Sequence, residues 1–341
     1  MIRNIAPKLA AAVVAASVGT GAAGFDADAQ GFPKLIDPAV DLGAQTPGPE
    51  LGWADSIYIT SRVDAGGHEI GILLHVVSIP NGPGRKIVLS VTDESTDFYR
   101  YEVVPVQESD LHWSADGLNI TAPGLSWTGD AERMSISFEV PWFALDLELE
   151  SDGPVMAYGG SGSFPLFGDV NHEFALPNMR TTGTLSLEGN THEVVGQTWL
   201  DRQWGATSPQ TGAHWSWISF NMPNGDAMAI WDTVSPTTGN QSWATVVRSD
   251  GTHLVTEVEP FAKGASEIWT SPESGNTYPT RWQVSIPALD AALTVDVTGN
   301  RHQEIVIHGD GRYEATAAFF GTYQGANVSG KSYVEMFGEW Q

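Results

Sequence analysis

The chain has 341 residues, enough for two domains of ordinary size, with 41 % hydrophobic and 10 % aromatic residues to build their cores. Sixteen Lys and Arg stand against 41 Asp and Glu, and the net charge of −25 argues against nucleic acid or an anionic membrane surface as a partner. Cysteine is absent, which excludes disulfides, thiol catalysis, a cysteine-linked lipid anchor and cysteine zinc sites.

Arg3 and Lys8 precede an apolar run from Leu9 to Val18, and Ala27-Asp28-Ala29 follows. Charged start, short apolar core and small-residue end predict a secretory signal peptide over residues 1–29. That signal outweighs the reducing compartment that a cysteine-free chain would otherwise indicate. The run is too short for a retained membrane span. No second apolar segment of membrane length follows, so no integral membrane segment is expected after signal removal. The expected location is secreted, or periplasmic in a Gram-negative bacterium. Asn-x-Ser/Thr triplets at Asn119, Asn240 and Asn327 would carry glycans only in a eukaryotic secretory pathway.

Residues 30–50 are rich in Pro, Gly and Asp and read as a leader. Short alternating segments then follow one another: Ser56 to Val63, Glu69 to Ser78, Lys86 to Asp93 and Tyr99 to Val106, with turn clusters between them. In Ala144 to Glu150 the leucines share one face and the carboxylates the other. Residues 153–168 are loop-like, and Ser161 fails the G-x-S-x-G pattern of a hydrolase elbow because Ser163 stands where glycine is required. Thr182 to Glu188, a turn at Gly189-Asn190 and Thr191 to Trp199 read as a hairpin. After residue 205 the pattern restarts, with segments such as Trp215 to Asn221, Ala227 to Thr233 and Tyr313 to Phe320. One short helical piece is expected at Pro287 to Ala292, and fewer than about a tenth of residues should be helical. The predicted class is all-β: two antiparallel barrels or sandwiches, over residues 45–190 and 191–341, meeting near the Gly196 to Trp204 strand.

The stretch Gly196 to Trp217 holds four of the thirteen tryptophans. On a strand, Trp199, Asp201 and Gln203 share one face while Leu200, Arg202 and Trp204 share the other. A half-buried carboxylate is paired, hydrogen-bonded or protonated, and a protonated carboxyl is a proton donor. Asp201 is therefore the candidate acid; the alternative is a structural carboxylate that pairs with an arginine or caps a turn. Arg202, as its strand neighbour, points away from it. His172 and Phe174 form a second polar-aromatic pair on one face of their own strand. The nine histidines show no H-x-H or H-x-x-x-H pair, so no metal site is expected, and no phosphate, dinucleotide or calcium motif appears.

The run G-x-x-W-x-D-R-Q-W-G with W-x-W after it resembles the AttH and carotenoid 1,2-hydratase-like family of double lipocalin-type proteins. His172 to Pro177 and Thr182 to Leu185 upstream resemble its aromatic-rich strand. Tyr323 to Gly330 and Ser332 to Glu335 are similar to its closing signature. The resemblance covers roughly residues 45–341. Arg202 departs from the His usual in carotenoid hydratases and is closer to the kievitone hydratase style, and Gln324 stands where Glu is frequent. The family handles large apolar, often isoprenoid, molecules in a pocket between two lipocalin-like barrels. The resemblance implies a site of His172, Phe174, Trp199 and Asp201. Asp201, His172 and Trp199 are the expected catalytic residues, and Phe174, Gln203, Trp215, Trp217 and Tyr323 the expected substrate contacts.

The expected activity is cofactor-free hydration of a C=C bond in an apolar isoprenoid or prenylated small molecule. Asp201 would protonate carbon, the Trp199 and Phe174 faces would bear the cation, and His172 would handle the water. A lipocalin-type pericyclase would use the pocket as a shaped cage instead. A non-catalytic carrier would only bind.

Overall fold

The computed structural model describes residues 35–50, 52–82, 84–207, 212–338 and 340. Strands take 65 % of residues and helix 4 %, within the expected all-β class. Two curled antiparallel sheets make the two lipocalin-like units, and they share one plan. In the first, a meander of four strands from Trp53–Ala65 to Tyr99–Val106 forms one side, and a second meander from His112–Trp113 to Phe143–Ser151 forms the other. The long hairpin Asp169–Leu187 and Asn190–Ala206 joins them, bonded between Trp53–Ala65 and Phe143–Ser151. In the second sheet the hairpin Asp310–Tyr323 and Ala326–Phe337 is inserted likewise between His214–Asn221 and Ala291–Val297. The Asn190–Ala206 strand therefore ends the first sheet; the expected second domain had begun with it. Both its neighbours, Trp53–Ala65 and Asp169–Leu187, come from residues before 190.

Alternation explains the outer strands. Along Phe143–Ser151, Phe143, Leu145, Leu147 and Leu149 fill the first core beside Trp127 and Phe138, and the carboxylates between them face water. The strands Trp53–Ala65, His68–Ile79, His214–Asn221 and Ala227–Val234 are buried almost throughout. One face of each fills its own unit and the other packs on the opposite unit. The interface cluster includes Tyr58, Leu73, Trp199, Trp215, Trp217 and Trp231.

The first hairpin turns at Glu188 (φ 50) and Gly189 (φ 85), one residue earlier than expected. Two successive positive φ values are what a two-residue hairpin loop demands. At Pro287–Leu289 the expected helical piece is one 3-10 turn. Residues 1–29 lie outside the described residues. Among those described, no helix is long and apolar enough to cross a membrane.

Candidate active site

Strand register places the site. Across the first sheet, Asp201 lies opposite Tyr58 on one side and Ala175 on the other, and Tyr58 lies opposite His75. One position along, Gln203 lies opposite Ser56 and Glu173. Cross-strand partners share a face, so Asp201, Tyr58, His75, Gln203 and Glu173 all project toward the second unit. In the second sheet Glu335 lies between Trp217 and Glu314, and Trp217 faces Trp231. Asp201 and Glu335 thus occupy corresponding places on the closing hairpins of the two units.

The Asp201 carboxyl is fully buried. Tyr158 Oη donates to its Oδ1 at 2.9 Å, and Trp199 Nε1 donates to its Oδ2 at 2.9 Å. Trp217 Nε1 donates to Tyr158 Oη at 3.1 Å, which directs the phenolic proton at Asp201. Burial pushes the Asp201 carboxyl up, against the opposing pull of Tyr58, Tyr158 and Trp199, to about 7. The neighbouring Glu173 is buried too, and neither of its oxygens reaches a hydrogen-bond partner. The Trp231 indole favours its charged form without bonding geometry. Burial first, then the charges of Asp201 and Glu335, hold Glu173 well above the carboxylate range. Two buried carboxyls this close oppose each other's ionisation, so their titrations are linked.

A cavity of about 460 Å³ opens between the units. Its walls include Tyr58, His75 and Gln203 from the first sheet and Trp215, Trp231 and Arg312 from the second. The volume lies in the range of small-molecule sites. Asp201 is not itself part of the wall, but its cross-strand neighbour Tyr58 is, and Asp201 has no exposed surface of its own.

Of the eight residues expected from sequence, five meet here. Trp199 and Asp201 are bonded to each other, Trp217 packs edge-on against Trp199 with ring centres 5.9 Å apart, and Gln203 and Trp215 line the cavity. His172 and Phe174 do share a face with each other, but it is the opposite face of the sheet from Asp201. His172 stacks on Trp204 at 5.3 Å, and its Nδ1 is 2.8 Å from Ser163 Oγ. Phe174 lies in the core of the first unit. The cause is a bulge between Leu176 and Met179, where Pro177 and Asn178 together oppose a single residue. Counting back from the turn without it sets Leu176 opposite Asp201; the extra residue substitutes Ala175 and exchanges the faces. Pro177 was the available signal, since proline within a paired strand marks an edge or a bulge. Tyr323 is also elsewhere: it lies in the second core and donates to Asp226 Oδ2 at 2.9 Å.

Sequence reasoning missed Tyr58, Tyr158, Glu173 and Arg312. Tyr158 is carried by a one-turn 3-10 segment in the loop between strands, anchored to the second unit by Gly159 N donating to Thr245 Oγ1 at 3.1 Å. Arg202 points away from Asp201, as expected. It pairs with Asp55 at 2.5 Å and donates to the Asp41 and Gly43 carbonyls at 2.9 and 2.7 Å, pinning the residues before the first strand. Among the described residues no group of three or more His, Asp or Glu is placed to hold a metal ion.

The dehydratase asqC of Emericella nidulans is 27 % identical over 328 residues, covering 90 % of this chain and 89 % of asqC. The kievitone hydratase of Fusarium solani subsp. phaseoli is 24 % identical over 204 residues, covering 58 % of this chain and 57 % of its own. A solved structure of an AttH protein from Nitrosomonas europaea superposes with a TM-score of 0.75 at 18 % identity, covering 90 % of this chain and 98 % of its own. Residues 88–339 match the model of the family described as AttH-like, well over half of the sequence, and the chain belongs to that family.

Proposed function

We propose that this protein is a hydro-lyase that adds water across, or removes it to form, a carbon–carbon double bond in a largely apolar small molecule held between the two units. The observation that carries the reading is Asp201: a fully buried carboxyl, poised at about 7, next to Tyr58 in the wall of an aromatic cavity. A general acid works best when its pKa lies near the operating pH. Hydration takes one proton to carbon and returns one from the added water, so it is redox-neutral and leaves the acid as it began. Tyr58 lines the cavity and faces Asp201, so its hydroxyl passes the proton outward and is refilled from Asp201. The indole faces of Trp215 and Trp231 shelter the cationic carbon, a contact worth about 2 kcal/mol when desolvated. The dehydratase and hydratase relatives support the same reaction class.

The purified protein, incubated with prenylated phenols and isoprenoid alcohols in heavy-oxygen water, should place one heavy oxygen in a product. Tyr58→Phe should slow that incorporation at least about tenfold with little change in KM. Turnover at full rate by Tyr58→Phe and by Asp201→Asn, with no heavy oxygen taken up, would instead favour a pericyclase cage, and binding without turnover a carrier. The observation on that side is that both Asp201 oxygens already have donors at 2.9 Å. We also propose export, with residues 1–29 as a signal peptide; terminal sequencing of protein from the medium or periplasm should start near Gln30.

A further inference from the structure

Three nitrogen-bearing side chains converge on the cavity, and the proposed proton transfer uses none of them. His75 stands beside Tyr58, ring centres 5.1 Å apart. Lys86 lies diagonally from it, since Val88 opposes His75 and Lys86 opposes Val77 in the register. Arg312 enters from the second sheet, 5.8 and 5.9 Å from the ring centres of Trp215 and Phe337. All three line the cavity. They are near enough that Arg312 and Lys86 reinforce burial in driving His75 well below the imidazole range, and that Arg312 adds to the burial that lowers Lys86.

Their hydrogen-bonding capacity is largely unused. His75 is 9 % exposed, and its Nε2 has no partner. Among the described residues Lys86 makes no hydrogen bond or ion pair. Arg312 has one ion pair, at 3.9 Å to Glu314. Burial, with Glu335 next, holds the Glu314 carboxyl well above the carboxylate range, against the pull of Arg312. Burial opposes the Arg312 charge, but Glu335 and then Glu314 outweigh it and hold the guanidinium above its ordinary range; Glu335 Oε1 accepts from Trp215 Nε1 at 2.7 Å and has no hydrogen bond to Arg312. Asp310 adds an acidic group at the exposed rim. Among the described residues Lys86 thus has no partner and Arg312 only a long one, in a chain with only 16 Lys and Arg in all, so both keep donors free for a ligand's oxygens.

We infer that the cavity recognises an amphiphile with an anionic oxygen head group, a carboxylate or a comparable oxyanion, held by Arg312, Lys86 and His75 with its apolar body against Trp215, Trp231 and Leu73. This names the substrate class of the site described above and rests on that cavity being the substrate site. The neutral imidazole contributes Nε2 as a donor in one tautomer, and the guanidinium fork suits two oxygens at once.

The test is a tryptophan-fluorescence titration with decanoate and with decan-1-ol, near pH 8 and about 0.15 M salt, where the acidic surface is screened within about 8 Å. Wild type should bind decanoate at least about tenfold more tightly than the alcohol. Arg312→Met and Lys86→Met should each remove most of that preference and leave decan-1-ol affinity within about twofold. Lys86 is partly exposed, so its variant keeps the test valid if Arg312→Met does not fold. Equal affinities in wild type, or an intact preference in both variants, would overturn the head-group inference while leaving the cavity as an apolar site. Binding of neither ligand would overturn both.

Discussion

Replacing Asp201 by Asn changes stability by an amount that depends on pH, and the dependence can be worked from the site. The folded carboxyl titrates at about 7, against an ordinary aspartate value of 3.8. A carboxyl raised on folding contributes stability that is complete at pH values below the unfolded pKa and is lost as pH rises through the folded one. Between pH 5 and 8 the unfolded chain is already ionised and the folded one is being forced to ionise. Wild type should therefore lose about 2–3 kcal/mol over that interval through this group. Asn has no such titration. It also disrupts the bonding at 2.9 Å, because its amide can accept from Tyr158 or from Trp199 but not from both in place. The stranded donor costs about 1–3 kcal/mol at every pH. Asp201→Asn should thus be less stable than wild type at pH 5 and should recover or overtake it by pH 8. Urea denaturation at the two pH values measures this directly. A stability difference that is the same at both would mean that Asp201 titrates like an ordinary carboxylate, and the acid assignment would fall. Turnover, measured on the same preparation, should drop at least about 100-fold.

Other consequences follow from the same geometry. Arg202→Met leaves Asp55 buried beside an apolar side chain and should cost about 3–5 kcal/mol in urea unfolding; a loss below about 1 kcal/mol would contradict the pinning role. Turnover carried by protonated Asp201 should decline as pH rises through about 7; a rate that keeps rising to pH 9 would point to a base instead.

Much of the site was legible in Trp199 to Trp204, because alternation along a single strand needs no knowledge of its partners. Trp199, Asp201 and Gln203 do share a face, and Arg202 and Trp204 do look the other way. What alternation cannot carry is parity from one strand to the next. That depends on the turn and on each bulge between, and the residue at Pro177-Asn178 exchanged His172 for Glu173. The apolar runs in His68–Ile79 and Ala227–Val234 already held the sign of a second buried face. Which groups meet across that face depended on packing between the units, and so Arg312 and Glu335 could not be set beside Tyr58. Tyr158 was hidden differently. It sits in a loop whose conformation is held by contacts to the second unit, such as that of Ala157 N with His253 Nε2 at 2.9 Å.

The protonation of Asp201 itself is the most direct measure. Infrared difference spectra, wild type minus Asp201→Asn, isolate the carbonyl stretch of one protonated carboxyl, and its loss can be followed as pH is raised. That band should be present at pH 5 and disappear with a midpoint near 7. A band already absent at pH 5 would show Asp201 ionised throughout, and the proposal of a buried acid serving the cavity would be contradicted.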